Sequence, residues 1–178
     1  MLLASLKSPR HPLRALVAAV VFSSGCAATG AVAGPAAFPG APVPAGVAET
    51  GPAGPMALAV ADTALSFVGT PYRLGGDTPS AGFDCSGLVR YALALHGIDV
   101  PRTVTEQYAM GRRVAQRELQ PGDLVFFSTI GPGATHVGIV LDDASQFVHA
   151  PTEGGAVRVE RFDAEYWRAR FVGARRVF

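Results

Sequence analysis

The sequence has almost no net charge, and this balance argues against one class of partner. Its 178 residues include 15 basic and 14 acidic side chains, and the formal net charge is +1. A protein that binds nucleic acid carries a basic surplus or a basic stripe. Three of the basic residues lie within the first 25 positions, so the remainder has a slight acidic excess. We therefore expect no nucleic-acid partner.

The apolar run near the N-terminus is too short to span a membrane as a mature helix. It extends from Leu13 to Phe22 and is interrupted by Arg14, whereas a membrane-spanning helix needs about 20 apolar residues. A basic stretch precedes the run and Ser23-Ser24-Gly25 follows it, which is the layout of a secretory signal. Residues 1–25 are therefore predicted to be a signal peptide.

Only two cysteines are present, Cys26 and Cys85, in a chain bound for an oxidising compartment. A disulfide between them is one possibility, although it would tie the start of a helix to a flexible tail. The Ser-Ser-Gly-Cys junction instead resembles a bacterial lipoprotein box, with Ser23 where an aliphatic residue is usual. In such a box the cysteine is diacylated and becomes the mature N-terminus. A plain signal peptide, with Cys26 incidental, is the alternative.

Residues 27–55 consist almost entirely of Ala, Gly and Pro, and Glu49 is their sole charge. Six prolines and six glycines in this stretch oppose regular structure. We therefore expect residues 26–55 to comprise a lipidated Cys26 and a disordered tether. From Met56 onward the composition is that of a globular protein, which predicts a single domain over residues 56–178.

Helical periodicity dominates the first half of this domain and strand periodicity the second. The spacing predicts a helix that ends near Gly69 and a second helix over residues 85–96. Thr103 and Glu106 have the spacing of a capping box at the start of a third helix. Strands are predicted at Leu124–Phe127, His136–Leu141, Gln146–His149, Val157–Arg161 and Phe171–Val177. Helices followed by strands indicate an α+β fold in which N-terminal helices pack on a central antiparallel sheet.

Cys85 lies where the second helix is predicted to begin. The unpaired N–H groups and the positive end of the helix dipole favour a thiolate there. The glycine-rich loop before it, Gly75 to Gly82, would let a substrate backbone come close. The alternative is that Cys85 is a small buried hydrophobic residue, as many free cysteines are.

Two of the four histidines are candidates for a base that serves a cysteine nucleophile. His136 begins one predicted strand and His149 ends the next, so antiparallel pairing would bring them together. Strand alternation places His136, Gly138 and Val140 on one face of the sheet. Each histidine could instead be a structural residue at the sheet rim, but a helix-start cysteine upstream of both favours a papain-like catalytic site.

Five motifs follow one another in the second part of the chain: Tyr72-Arg73-Leu74-Gly75-Gly76, Asp84-Cys85-Ser86-Gly87-Leu88-Val89, Leu119-Gln120-Pro121-Gly122-Asp123-Leu124-Val125-Phe126-Phe127, His136-Val137-Gly138-Ile139 and Phe147-Val148-His149-Ala150. In this order they resemble the successive motifs of the NlpC family of bacterial cell-wall cysteine peptidases, and the resemblance covers about residues 59–178. It implies a papain-like fold and hydrolysis of peptide bonds in peptidoglycan stems. It also implies that Cys85 is the nucleophile, His136 the base and His149 the third polar residue.

The same resemblance implies roles for three further residues around the cleft. Tyr72 would help to hold the oxyanion together with the backbone N–H of Cys85, where charge develops during the reaction. Asp84 and Ser86 would line the substrate cleft, and the carboxylate could meet an amine of the stem peptide. Ordinary core packing is the alternative for Tyr72, and an N-cap role is the alternative for Asp84.

The expected protein is thus a monomeric cysteine endopeptidase that needs no cofactor or metal. Its expected partners are peptidoglycan stem peptides and, through the lipid on Cys26, the periplasmic face of the outer membrane. A soluble periplasmic or secreted location is the alternative. Two other functions remain open, a non-catalytic wall-binding lipoprotein and a papain-like acyltransferase or amidase. The bond cut could be the link after D-glutamate or the cross-link at diaminopimelate.

Overall fold

The computed structural model describes residues 53–141, 144–152 and 154–178. The predicted signal peptide, Cys26 and the tether up to residue 52 lie outside the described residues. Within the described ranges, no helix combines the length and the apolar character that crossing a membrane requires.

Four α-helices and eight strands form the described part of the chain. In chain order the elements are α1 (Pro55–Leu65), β1 (Asp77–Thr78), β2 (Gly82–Phe83), α2 (Cys85–Ala94), α3 (Val104–Ala109), β3 (Arg112–Val114), β4 (Leu124–Phe127), β5 (His136–Val140), β6 (Gln146–His149), β7 (Arg158–Arg161), α4 (Glu165–Arg168) and β8 (Phe171–Arg176). A 3₁₀ turn over Gln116–Glu118 precedes β4. The predicted order of helices followed by strands is confirmed except for the short β1 and β2, which lie between α1 and α2.

The central sheet has six strands in the order β3-β8-β4-β5-β6-β7, and every neighbouring pair is antiparallel. A separate two-stranded ribbon, β1 and β2, precedes α2. Helix α2 packs against β5 and against α1. This confirms the predicted α+β class, with N-terminal helices on a central antiparallel sheet.

Helix α1 begins one residue earlier than the predicted domain boundary. Pro55, assigned to the tether from the sequence, is the first residue of the helix, and Gly54 is its N-cap. The first helical position has no intrahelical use for its N–H, so proline fits there and its fixed φ suits a helix. The buried face is formed by small side chains such as Ala61 and Ala64, while Leu58 is 41% exposed.

Local capping interactions fix the other two long helices. The side chain of Asp84 accepts a hydrogen bond from the Gly87 N–H at 2.8 Å and so caps α2. Thr103 and Glu106 form the predicted capping box of α3. The start of α2 at Cys85 is therefore confirmed, and this start determines where the thiol lies.

The two faces of β5 alternate as the sequence predicts. Val137, Ile139 and Leu141 lie in the core beneath the helices. Val140 belongs to a second cluster on the other face, and His136 stacks there on Trp167. The sheet therefore presents His136 at one end of β5, on the face away from the helical core.

Candidate active site

The first turn of α2 is held tightly against the preceding loop. Any Cβ on Gly87 would collide with the carbonyl oxygen of Gly76, so only glycine fits at this helical position. The Asp84 N–H also donates to the Gly76 carbonyl at 3.0 Å. This close approach fixes the position of Cys85 between the loop and the helix.

The carboxylate of Asp84 is fully occupied by neighbouring donors. Its Oδ1 accepts from the Gly87 N–H, from the Ser86 hydroxyl at 3.2 Å and from Arg102 Nη1 at 2.9 Å. Its Oδ2 accepts from the Gly75 N–H at 2.9 Å and from Arg102 Nη2 at 2.7 Å. A carboxylate has about four acceptor positions, so a substrate amine would have to displace one of these donors.

Burial alone would raise the pKa of Asp84, but hydrogen bonds from Arg102 and from backbone N–H groups outweigh it. The pKa of Asp84 is therefore lowered, and the group is a charged carboxylate at neutral pH. Ser86 is also buried, and its hydroxyl lies 3.0 Å from Arg102 Nη1. Asp84, Ser86 and Arg102 form one network beside the thiol.

Cys85 is a free thiol of intermediate exposure, and its pKa is raised to about 11. Burial is the largest cause and the negative charge of Asp84 is the second, while a hydrogen bond from the Val137 backbone N–H opposes them. The sequence-based expectation of a thiolate favoured by the helix N-terminus is therefore wrong for the resting site. The helix end acts on the thiol, but desolvation and the adjacent carboxylate outweigh it.

His136 and His149 are joined by a hydrogen bond across the β5–β6 hairpin. His136 Nε2 lies 2.7 Å from His149 Nδ1, and both side chains are buried. Pairing of Ile139 with Val148 sets the register that brings the two strands' histidines together. Gly138 lets β6 pack closely against β5, because a Cβ there would lie 2.6 Å from the Phe147 ring and 3.3 Å from His149 Cβ.

The contact between the rings assigns their protons if His136 is to act as a base. Its Nε2 faces His149, so Nδ1 is the nitrogen left to accept a proton. His136 must then carry its own hydrogen on Nε2 and donate it to His149 Nδ1. His149 in turn carries its hydrogen on Nε2, which has no hydrogen-bond partner within the described part of the chain.

Both histidines are neutral at neutral pH. Burial, and next the positive charge of Arg158, lower the pKa of His136 to about 4. Burial also lowers the pKa of His149, and the neighbouring His136 and Arg158 add to the effect. A neutral imidazole can accept a proton, which an imidazolium cannot.

Trp167 packs against the rings of both histidines. Its ring stacks on His136 at a centroid distance of 5.7 Å and an interplanar angle of 25°. It meets His149 edge to face at 4.9 Å. These contacts restrict both imidazole planes, and both histidine side chains are buried.

Tyr72 is brought to the N-terminal end of α2 by an isolated parallel bridge to Phe83. Its backbone N–H donates to the Gly155 carbonyl at 2.8 Å, and its side chain packs against the main core. Asp84 and Ser86 flank Cys85 at the start of α2, and Tyr72 lies beside Phe83, two residues before Cys85. Among the described residues, no group of three or more His, Cys, Asp or Glu side chains could hold a metal ion.

Sequence reasoning missed two residues of this site. Arg102 follows Pro101 in a loop, and no periodicity connects it with Asp84, which lies 18 residues earlier. Trp167 is the chain's single tryptophan, which could have drawn attention to it. Its four-residue helix is too short for a pattern to show which side chains it approaches.

Comparison with known proteins places the chain in a family. The sequence pattern of the NlpC/P60 family matches residues 69–176. Murein DD-endopeptidase MepH of Escherichia coli (strain K12) is 44% identical over 117 residues, which cover 64% of this chain and 43% of MepH. Gamma-DL-glutamyl hydrolase of Bacillus subtilis (strain 168) is 42% identical over 120 residues, which cover 66% of this chain and 28% of that protein.

A solved structure of the same family also resembles this chain. A protein similar to lipoprotein, of the NLP/P60 family, from Staphylococcus aureus subsp. aureus Mu50 has a TM-score of 0.63 and 32% identity. The alignment covers 74% of this chain and 44% of that one. The chain thus spans less than half the length of all three proteins. The papain-like fold predicted from the sequence is confirmed, and the chain belongs to the NlpC/P60 family.

Proposed function

We propose that this protein is a peptidoglycan hydrolase, a cysteine endopeptidase that cuts stem-peptide bonds. The observation that carries the proposal is the buried His136–His149 hydrogen bond, whose first partner lies on β5, the strand against which the helix begun by Cys85 packs. The backbone N–H of Val137, the residue after His136, acts on the Cys85 thiol and opposes the rise in its pKa, which connects the two halves of the site. A relative named as a murein DD-endopeptidase adds support.

In the proposed reaction, His136 Nδ1 takes the thiol proton as Cys85 Sγ attacks the carbonyl carbon of the scissile bond. The C=O π electrons move to oxygen, and the oxyanion accepts a hydrogen bond from the Cys85 backbone N–H and from Tyr72. The C–N bond then breaks as His136 gives its proton to the leaving amine. This step leaves a thioester on Cys85.

Water completes the cycle. His136 removes a proton from water as the water oxygen attacks the thioester carbonyl. Collapse of the resulting tetrahedral intermediate then breaks the C–S bond and expels the Cys85 sulfur. The sulfur recovers the proton from His136, and the acyl half leaves as a carboxylic acid. Atoms and charge balance without a metal or cofactor.

His149 positions His136 in this scheme and does not touch the substrate. Its Nδ1 accepts the His136 Nε2–H, which holds the base in the tautomer with a bare Nδ1. Trp167 restrains the same ring from its face. Asp84 and Ser86 act with Arg102 to shape the cleft beside Cys85, since the carboxylate is saturated by their hydrogen bonds.

Two stem-peptide bonds are candidates, the link after D-glutamate and the cross-link at diaminopimelate. Relatives include an enzyme named as a DD-endopeptidase and one named as a gamma-DL-glutamyl hydrolase, with similar identity to this chain. We propose that one of these two bonds is cut.

We further propose that residues 1–25 direct export and that a lipid on Cys26 anchors the protein to the periplasmic face of the outer membrane. Two acyl chains on one cysteine are enough for stable anchoring, whereas one chain is marginal. The Ala/Gly/Pro-rich segment would then let the peptidase domain reach the wall from its anchor.

Replacement of Cys85 by alanine tests the enzymatic proposal. Digestion of purified peptidoglycan by Cys85→Ala should fall to background, because the attacking sulfur is lost. Mass analysis of the muropeptides released by the parent identifies the bond. Unchanged digestion by the folded variant would contradict the proposal, and a folded parent that binds the wall without cutting it would favour a wall-binding module.

Two substitutions of His149 separate orientation from proton transfer. His149→Asn should retain appreciable activity, because its amide oxygen can accept the His136 Nε2–H. His149→Ala should lose much more, since the base is left without an orienting partner. Specific activities of both folded variants are compared on the same peptidoglycan. Near-parental activity in both would make His149 a structural rim residue, and complete loss in both would contradict a role limited to orientation.

The pH dependence of Cys85 alkylation tests the neutral resting site. With a thiol pKa of about 11, only about one thiol in 10,000 is ionised at pH 7. Iodoacetamide labelling of Cys85 should therefore rise about tenfold per pH unit between pH 6 and 9, since the thiolate is the nucleophile. Peptide mass spectrometry separates Cys85 from Cys26. A pH-independent rate across this range would instead indicate a preformed thiolate–imidazolium pair.

Replacement of Cys26 tests the anchor. Cys26→Ser should leave the membrane fraction and become soluble, because the serine oxygen cannot take the thioether-linked lipid. The catalytic variant Cys85→Ser serves as the matched control and should stay with the membranes. If Cys26→Ser still sediments as the parent does, Cys26 is not the anchor.

A further inference from the structure

A groove of about 470 Å³ opens at the end of the sheet that carries the histidine pair. Its walls come from the β4–β5 loop, the residues after β6, strand β7 and helix α4. Ile130, Tyr166 and Trp167 supply apolar surface, and Arg158 and Glu160 supply charge. Ile130 is 89% exposed and Tyr166 is 48% exposed, so this apolar surface is open to solvent and available to a ligand.

The groove lies on the histidine side of the site. Trp167 is the shared wall, because it lines the groove and stacks on His136. Arg158 pairs with His149 across the β6–β7 ladder. In the proposed reaction the imidazole gives its proton to the leaving amine, so the amine half of the substrate must lie on the imidazole side.

The side chain of Arg158 can bind an anion in this groove. Its Nε donates to Glu160 at 2.8 Å, which orients the guanidinium. In the part of the chain that the structure describes, this is its one hydrogen bond, so the two Nη groups can bind a carboxylate in a bidentate manner. The side chain is 52% exposed, so a ligand can reach it.

The charge of Arg158 also reaches both histidines, whose pKa values it helps to lower. A group that binds Arg158 is therefore close enough to influence the base. Together with the pairing of Arg158 and His149 on adjacent strands, this effect connects the groove to the histidine pair.

We propose that this groove binds the amine half of the substrate and that Arg158 recognises a free carboxylate on it. The inference rests on the proposed function and names the substrate feature that Arg158 recognises on the leaving-group side. Both candidate bonds release an amine of diaminopimelate, a diamino diacid that keeps a carboxylate free in either linkage. The apolar side chains of Tyr166 and Trp167 would pack against its methylene chain.

A binding measurement tests the subsite without relying on turnover. The Cys85→Ala protein is titrated with the stem tripeptide and with the cross-linked tetrapeptide dimer, each with its diaminopimelate carboxyl groups free or amidated. The free acid of at least one of these peptides should bind at least tenfold more tightly than its amide. The double variant Cys85→Ala/Arg158→Gln should lose that preference, because the amide and the acid then contact the same neutral side chain.

Two further variants control for charge and geometry. Arg158→Lys keeps the charge but not the planar fork, so it should retain part of the preference. Arg117→Gln removes an exposed arginine that also pairs with a glutamate, Glu118, but lies in the 3₁₀ turn before β4. It should leave the preference unchanged.

The outcomes separate this subsite from the hydrolase proposal. Equal binding of acid and amide, or a preference that survives Arg158→Gln, overturns the subsite even if Cys85-containing protein cuts the wall. An equal loss of affinity for the acid and for the amide in Arg158→Gln also contradicts the proposed subsite. A preference that depends on Arg158 in a protein that cuts nothing supports the subsite and contradicts the hydrolase.

Discussion

The hydrogen bond between His136 Nε2 and His149 Nδ1 is the interaction on which the account of this site depends. It determines which nitrogen of His136 can accept a proton, and the fold has several features that preserve it. The β5–β6 register aligns the strands, Gly138 lets the two strands pack closely, and Trp167 contacts both rings. In return, His149 keeps a buried Nε2 without a partner among the described residues, at a cost of about 1–3 kcal/mol if it carries the hydrogen. Such a cost is typical of a functional site, where local stability is given up for geometry.

Burial sets the chemistry of the resting site as much as geometry does. It raises the pKa of Cys85 and lowers that of His136, so both partners are neutral at neutral pH. In the proposed reaction the thiol therefore becomes nucleophilic only when His136 removes its proton during attack, and not through a standing charge separation. The Asp84 carboxylate contributes in the same direction, although Arg102 binds it from the other side.

Much of this architecture follows from local sequence signals. The Asp84 cap, the Thr103–Glu106 capping box and the period-two strands each act over a few residues, so their positions could be predicted from spacing. The proximity of His136 and His149 followed from a short hairpin.

Residues joined only by tertiary packing could not be found this way, because no periodicity relates Arg102 to Asp84 or Trp167 to His136. The sign of the Cys85 pKa shift was missed for a related reason, since the depth of burial is a property of the packed structure. The short strands β1, β2 and β3, of two or three residues each, carry too few positions to show alternation.

The protonation state of the histidine pair is the most direct test of this account. Nitrogen-15 NMR of histidine-labelled protein at pH 7 resolves which ring nitrogens carry hydrogen, and His136→Ala and His149→Ala assign the signals. The account predicts two neutral rings, each with its hydrogen on Nε2 and a bare Nδ1. An imidazolium at His136, or a hydrogen on its Nδ1, would contradict the central claim that this ring rests as a neutral base held ready for the thiol proton.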